Sequence, residues 1–158
     1  MTHETETKMI TITGLQQLEN RIAKKQNRKP CEIRSAVFPE TFMPLFAMFD
    51  HIDNEIIFNK DLVFSAPELE VIATLIHESR HAYQWDRINH PKKAIESKEL
   101  LHEWKSNFEA FSPLDSTQSE DRYLSMAIEI DSIAYTHYTV YELTQEKTLI
   151  PNLIKDKV

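Results

Sequence analysis

The 158-residue sequence contains one glycine, Gly14, and one cysteine, Cys31. Phosphate-cradling loops need several glycines at fixed offsets, so P-loop and dinucleotide-binding readings are excluded. Turns must rest on Pro, Asn and Asp instead, which favours a chain rich in helices. A lone cysteine builds neither a disulfide framework nor a thiolate metal cage. It points to a reducing, cytoplasmic setting. Basic residues are also short: 18 Lys and Arg stand against 25 Asp and Glu, a net charge of −7. With no basic run to offset that, no nucleic-acid partner is expected. Long apolar runs are missing too. The longest surrounds Leu75–Ile76 and is far too short to span a bilayer, so no membrane partner is expected either. The polar, acidic stretch Met1–Lys8 is not a signal peptide.

What is present is a globular composition, 41% apolar and 9% aromatic, enough to offset the ordering entropy of one domain over residues 1–158. Residues 1–8 read as a frayed tail. Leu15, Leu18, Ile22 and Ala23 share one stripe of a helix that starts near Gly14 and ends before Pro30. Cys31–Phe38 partly alternates, as a strand does, with Cys31 buried in it. Phe46–Phe49 and Glu55–Phe58 flank the polar cluster Asp50, Asp53 and Asn54, a hairpin pattern. Ser65 caps and Pro67 opens a helix running to about Ile88, apolar around most of its circumference and therefore buried. Pro91 opens another, with Leu101, Trp104, Phe108 and Phe111 as its core stripe. Asp115–Asp121 reads as a polar loop. A last long helix covers about Ser119–Glu146, with Tyr135, Tyr138 and Tyr141 available for packing. The fold class is α+β, one domain with a small sheet near the front.

His77-Glu78-Ser79-Arg80-His81 lies inside the buried helix. Residues four apart share a helix face, so both imidazoles point at one ion. Glu78, about one hundred degrees round from His77, reaches a water on that ion without ligating it. Zinc is the usual occupant of such a site. Glu78 would take a proton from the water and pass it to the leaving amine. A catalytic zinc needs a third protein ligand. Arg87 stands where one large protease class has a third His, which excludes that class. His90 is three residues too far and precedes a proline. Glu99 and Glu103 bracket a spacing of about 20 residues known from thermolysin-like enzymes. Glu103, beside Trp104 on the amphipathic helix, stays open as a ligand, and Glu129, in Ala127-Ile-Glu-Ile-Asp-Ser-Ile-Ala-Tyr135, is a further option. There acidic residues interrupt an apolar helix and demand partners.

The stretch Thr74-Leu-Ile-His-Glu-Ser-Arg-His-Ala-Tyr-Gln84, with Glu129-Ile-Asp-Ser-Ile-Ala-Tyr135 downstream, resembles small zinc metallopeptidases of prophage and mobile-element type, related to the ImmA/IrrE group of zincins. Glu55-Ile-Ile-Phe-Asn59 matches their short strand before the active-site helix. The resemblance covers roughly Ile52 to Tyr138. It implies a minimal zincin: a small sheet, an active-site helix and a second, ligand-bearing helix. It also implies Zn2+ held by His77, His81 and Glu129, with Glu78 as general base and Asp131 orienting a ligand. A peptide or protein substrate follows, and the strand Glu55–Asn59 would be the sheet edge to which it adds. The 48 residues from His81 to Glu129 exceed the spacing in compact members, and no helix-turn-helix region is attached.

Tyr123, Tyr135, His137 and His102 are candidates to stabilise an oxyanion. Arg80 should pair with Glu120 or Asp131, while Trp85 and Trp104 should pack in the core. A metal-binding regulatory or interaction protein without catalysis is the alternative reading. It has no need of Glu78.

Overall fold

A computed structural model of the chain describes residues 10–40, 45–63, 65–110, 120–144 and 152–157. The expected tail at 1–8, Phe111 and most of the expected loop at 115–121 lie outside them. Helix α1 (Ile12–Lys25) starts at Thr11, whose hydroxyl accepts the Gly14 N–H. Three strands follow: β1 (Glu32–Ala36), β2 (Ala47–Asp50) and β3 (Glu55–Asn59). One short helical turn, α2 (Lys60–Val63), leads to the long α3 (Glu68–Asn89). After it come α4 (Lys98–Ala110), α5 (Glu120–Leu124) and α6 (Ala127–Thr144). The described residues therefore form an α+β fold, and none of their helices is long and apolar enough to cross a membrane.

Asparagine replaces the missing glycines. Asn27, where the chain leaves α1, has φ 51°, and Asn54, in the hairpin turn, has φ 55°. Asparagine tolerates this left-handed region far better than branched residues do. The Asp50 carboxylate closes the hairpin by accepting the Ile52 and Asp53 N–H groups.

The sheet corrects one expectation. Its order is β1-β3-β2, with β1 parallel and β2 antiparallel to β3. Glu55–Asn59 is thus the central strand and not an edge. Ile56, Ile57 and Phe58 are all buried, so β3 is covered on both faces and its sequence reads as an apolar run without alternation. The edge beside α3 is β2. Asn59 N–H donates to Phe46 O, and antiparallel alternation then turns the amides of Ala47 and Phe49 away from β3.

Helix α3 is the axis of the domain. One side packs through Val71, Leu75 and Ala82 on α1 and the sheet, against Leu15, Ile33, Ala47, Ile56 and Phe58. Tyr83, on another side, meets Leu101, Trp104, Met126 and Ile128. Trp104 is fully buried, as expected, whereas Trp85 is half-buried, its ring 4.3 Å from that of His51. The α3 cap position is Pro67, not Ser65, and among the described residues no side chain caps it. The first turn relies on Glu68 and Glu70 near the positive helix end. Pro91 opens a single 3-10 turn, Pro91–Lys93, and α4 begins only at Lys98.

The expected single helix over Ser119–Glu146 is broken at Ser125–Met126 into α5 and α6. Asn107 from α4 accepts the Ile128 N–H in the first turn of α6. This cap comes from another helix, so local sequence does not announce it. Tyr138 and Tyr141 are exposed.

A buried ion pair ties α1 to α3. Arg28 grips both oxygens of Glu19, at 2.9 and 2.7 Å. The same carboxylate accepts the Cys31 N–H at 2.6 Å and the Ser79 hydroxyl, inside the His-Glu-His segment, at 3.0 Å. Removing one partner of such a pair leaves a desolvated charge, costing about 3–5 kcal/mol. Glu19→Ala should lower stability by that order, read from urea denaturation, whereas a change below about 1 kcal/mol would show the pair to be dispensable. Cys31 yields a pH test. Burial, helped by Glu19, pushes its thiol up to about 12. An unfolded thiol ionises near about 8.5, so the native state resists ionisation and stability is lost as pH rises above that value. Between pH 8.5 and 10 the wild-type urea midpoint should fall more steeply than that of Cys31→Ala.

Candidate metal centre

His77, Glu78 and His81 project from the middle of α3, each with a ligand atom within 4.8 Å of the others. This group could hold a metal ion. Helix α6 brings Glu129 against it from the opposite side. His77 Nε2 lies 3.0 Å from one Glu129 oxygen, and His81 Nε2 lies 2.7 Å from the other. One carboxylate therefore spans both imidazoles. Burial alone would raise the Glu129 carboxyl. The His81 and His77 rings reverse that and hold it well below the usual carboxylate range. His81 shows the reciprocal effect. Burial would lower its pKa, but the Glu129 carboxylate outweighs this and pushes it up to about 9.

Glu78 is placed differently. Among the described residues it makes no hydrogen bond to either imidazole. Burial raises its carboxyl above the ordinary range, against the pull of both histidines and the Phe49 backbone N–H. The Tyr123 hydroxyl donates to Glu129. Burial, together with the Glu129 and Glu78 carboxylates, raises this phenol well above its ordinary pKa, so it stays a proton donor. Tyr123 thus joins the cleft, whereas Tyr135 lies under the Arg80 guanidinium, 4.6 Å from its ring centre. His137 packs edge-on to Tyr138. His102, Glu99 and Glu103 are exposed on α4, and exposed His90 pairs with Asp86 at the far end of α3. Arg87 is buried and donates to the backbone of Gln26 at the end of α1.

Asp131 does not touch a motif histidine. It accepts two bonds from Arg80, at 2.8 and 3.1 Å, and one from Gln84 Nε2 at 2.7 Å. Gln84 then reaches the histidine: its Oε1 lies 2.8 Å from His81 Nδ1. The direction of this bond is fixed. Gln84 Nε2 also donates to the Ile128 carbonyl, which can only accept. The amide oxygen must therefore face His81, so Nδ1 carries a proton and Nε2 is the ligand atom. Sequence reasoning passed over Gln84, although its place three residues after His81, on the same face, was the available signal. Phe108 and His51 were missed as site residues. Both line the recess beside His81, together with Leu45, Phe49, Ile128 and Glu78. A second recess, on the His77 side, shares Leu45, Ala47, Glu78, Tyr123 and Glu129 with the first.

Compared with protein-family models, curated proteins and solved structures, the chain matches none. None of them supports the zincin resemblance, which rests on the His77, Glu78 and His81 spacing alone.

The donor set fits a divalent ion of the zinc type: two imidazoles presenting Nε2 to one carboxylate, with one ring's other nitrogen held by an amide oxygen. His77→Ala, His81→Ala and Glu129→Ala should each abolish stoichiometric metal in elemental analysis of the purified protein, while Glu103→Ala keeps it. Gln84→Met, which retains the side chain's bulk, should weaken metal binding about 10–100-fold in competition with a chelator, and Gln84→Glu should not restore it, because a carboxylate has no donor for Asp131 and the Ile128 carbonyl. An unweakened Gln84→Met would remove Gln84 from the site.

Proposed function

We propose that the protein is a zinc-dependent peptidase whose general base is Glu78. The observation that carries this reading is the division between the two carboxylates. Glu129 engages both imidazoles, while Glu78 stays unbonded to them, buried in the cleft wall and raised in proton affinity. His77, His81 and Glu129 would hold the ion. When bound, zinc supplies Lewis acidity, polarising a carbonyl and making water more acidic.

The remaining work falls to the protein's own groups. Glu78 accepts a proton from the attacking water, and burial, which raises its proton affinity, favours its holding that proton. The water oxygen bonds to the carbonyl carbon, the carbon–nitrogen bond breaks, and Glu78 returns the proton to the departing amine. Tyr123 keeps its O–H as a donor at the cleft. Because that O–H is engaged by Glu129, Tyr123 would stabilise developing negative charge on the substrate oxygen by turning its single donor from the carboxylate to that oxygen. Gln84 and Asp131 hold His81 in one orientation throughout. Among the described residues no strand pairs with the outer edge of β2, and the Ala47 amide turned outward there gives an extended peptide a strand to lie along.

The runner-up, a metal-binding protein without catalysis, rests on the His77, Glu78 and His81 group being able to hold an ion, and it has no need of Glu78 as a base. One substitution separates the two. Glu78→Gln should keep stoichiometric zinc while hydrolysis of a quenched fluorescent peptide library falls at least about 100-fold. Loss of zinc would make Glu78 a ligand, and undiminished hydrolysis would remove it from the chemistry.

A further inference from the structure

The recess on the His81 side has a volume of about 210 Å3. Leu45, Phe49, Phe108 and Ile128 supply apolar wall, while Glu78, His81 and Glu129 border it at the metal centre. We propose that this recess is a specificity pocket that takes a bulky apolar side chain, of leucine or phenylalanine size, next to the bond that is cut. The proposal deepens the peptidase reading and rests on it.

Size comes first. A dry protein cavity of about 150 Å3 accepts benzene, so this recess has room for a phenyl ring or an isobutyl group. Preorganisation comes second. Phe108 is held by four rings: its centre lies 6.4 Å from Phe49, 6.0 Å from His51, 6.3 Å from His81 and 5.2 Å from Trp85. A wall fixed in this way loses little freedom when a side chain enters. Location comes third. The recess shares Glu78 and His81 with the proposed chemistry, so a group seated there belongs to a residue flanking the reacting bond. Charge comes last. Among the described residues no Lys or Arg lines the recess. The Asp50 carboxylate on its lining already accepts two backbone N–H groups, which leaves it a weaker partner for a cationic arm.

The test is calorimetric titration of the zinc-loaded protein with hydroxamates, which bind an open metal through their own oxygens. Their arms would be methyl (acetohydroxamate), isobutyl, benzyl and aminobutyl. Each buried methylene is worth about fourfold in affinity. The isobutyl and benzyl compounds should bind at least tenfold tighter than acetohydroxamate, and the aminobutyl compound no tighter. Equal affinity across the series, or preference for the amine, overturns the pocket and leaves the metal centre standing. No binding by any compound overturns the open metal centre and the pocket with it. In Phe108→Ala the ratio of benzyl to methyl affinity should drop at least fivefold, a ratio that cancels any change at the metal, whereas Phe108→Leu should keep most of it. An unchanged ratio in Phe108→Ala also counts against the pocket. Should that variant fail to fold, the wild-type series decides alone.

Discussion

Two long helices, α3 and α6, meet through polar side chains, and the Glu129 carboxylate between two imidazoles is the contact on which the others depend. Glu129 is 3% exposed and His81 is 6% exposed. Taking such groups out of water is expensive unless each finds a partner of opposite character. Here the partners lie one helix apart, so the interface is favourable in only one register. Asp131 with Arg80, Gln84 with the Ile128 carbonyl, and Ser132 with the His77 carbonyl complete the same seam. Sliding α6 by one residue would strand all of them together. A polar interface of this kind trades some stability for a single geometry, the requirement of a site that must aim two nitrogens at one point.

That geometry needs support behind α3 as well as in front. Ser79, between the two histidines, is bonded to Glu19 on α1, which is held in turn by Arg28. The motif segment is therefore fixed on opposite sides by buried charge, with apolar packing between. Turns that glycine would normally serve are closed by Asn27 and Asn54. The side chains of the candidate metal centre, His77, Glu78, His81 and Glu129, are drawn from helices, not from loops. The scarcity of glycine, which in the sequence only excluded phosphate-binding folds, becomes part of how the centre is kept rigid.

Much of this was legible in the sequence where the signal is local. The extent of α3, the hairpin and the His77, Glu78, His81 cluster follow from helical spacing, the early proline and turn residues, although Ser65 does not cap the helix. Glu129 was singled out because acidic residues in an apolar helix demand partners. What failed were readings that depend on neighbours distant in sequence. The strand Glu55–Asn59 was expected at an edge from the zincin resemblance, and a run buried on both faces shows no alternation to correct that. The break between α5 and α6 rests on Asn107 of another helix. Gln84 and Phe108 look like ordinary helix residues until α4 and α6 are folded against α3.

The two carboxylates of the centre show how the surroundings set opposite proton affinities in chemically equal groups. Both are buried, so desolvation pushes both toward the protonated state. Glu129 sits in hydrogen-bond contact with two imidazoles, and that attraction exceeds the desolvation cost. Glu78 feels the same imidazoles without a bond to them and also faces the Glu129 charge, so desolvation prevails. A permanently ionised group makes a good ligand and a poor base, because it does not hold a proton. A group with raised affinity is the reverse. The separation needs no difference in residue type. It follows from which helix each glutamate occupies and how far its oxygens lie from the same two rings.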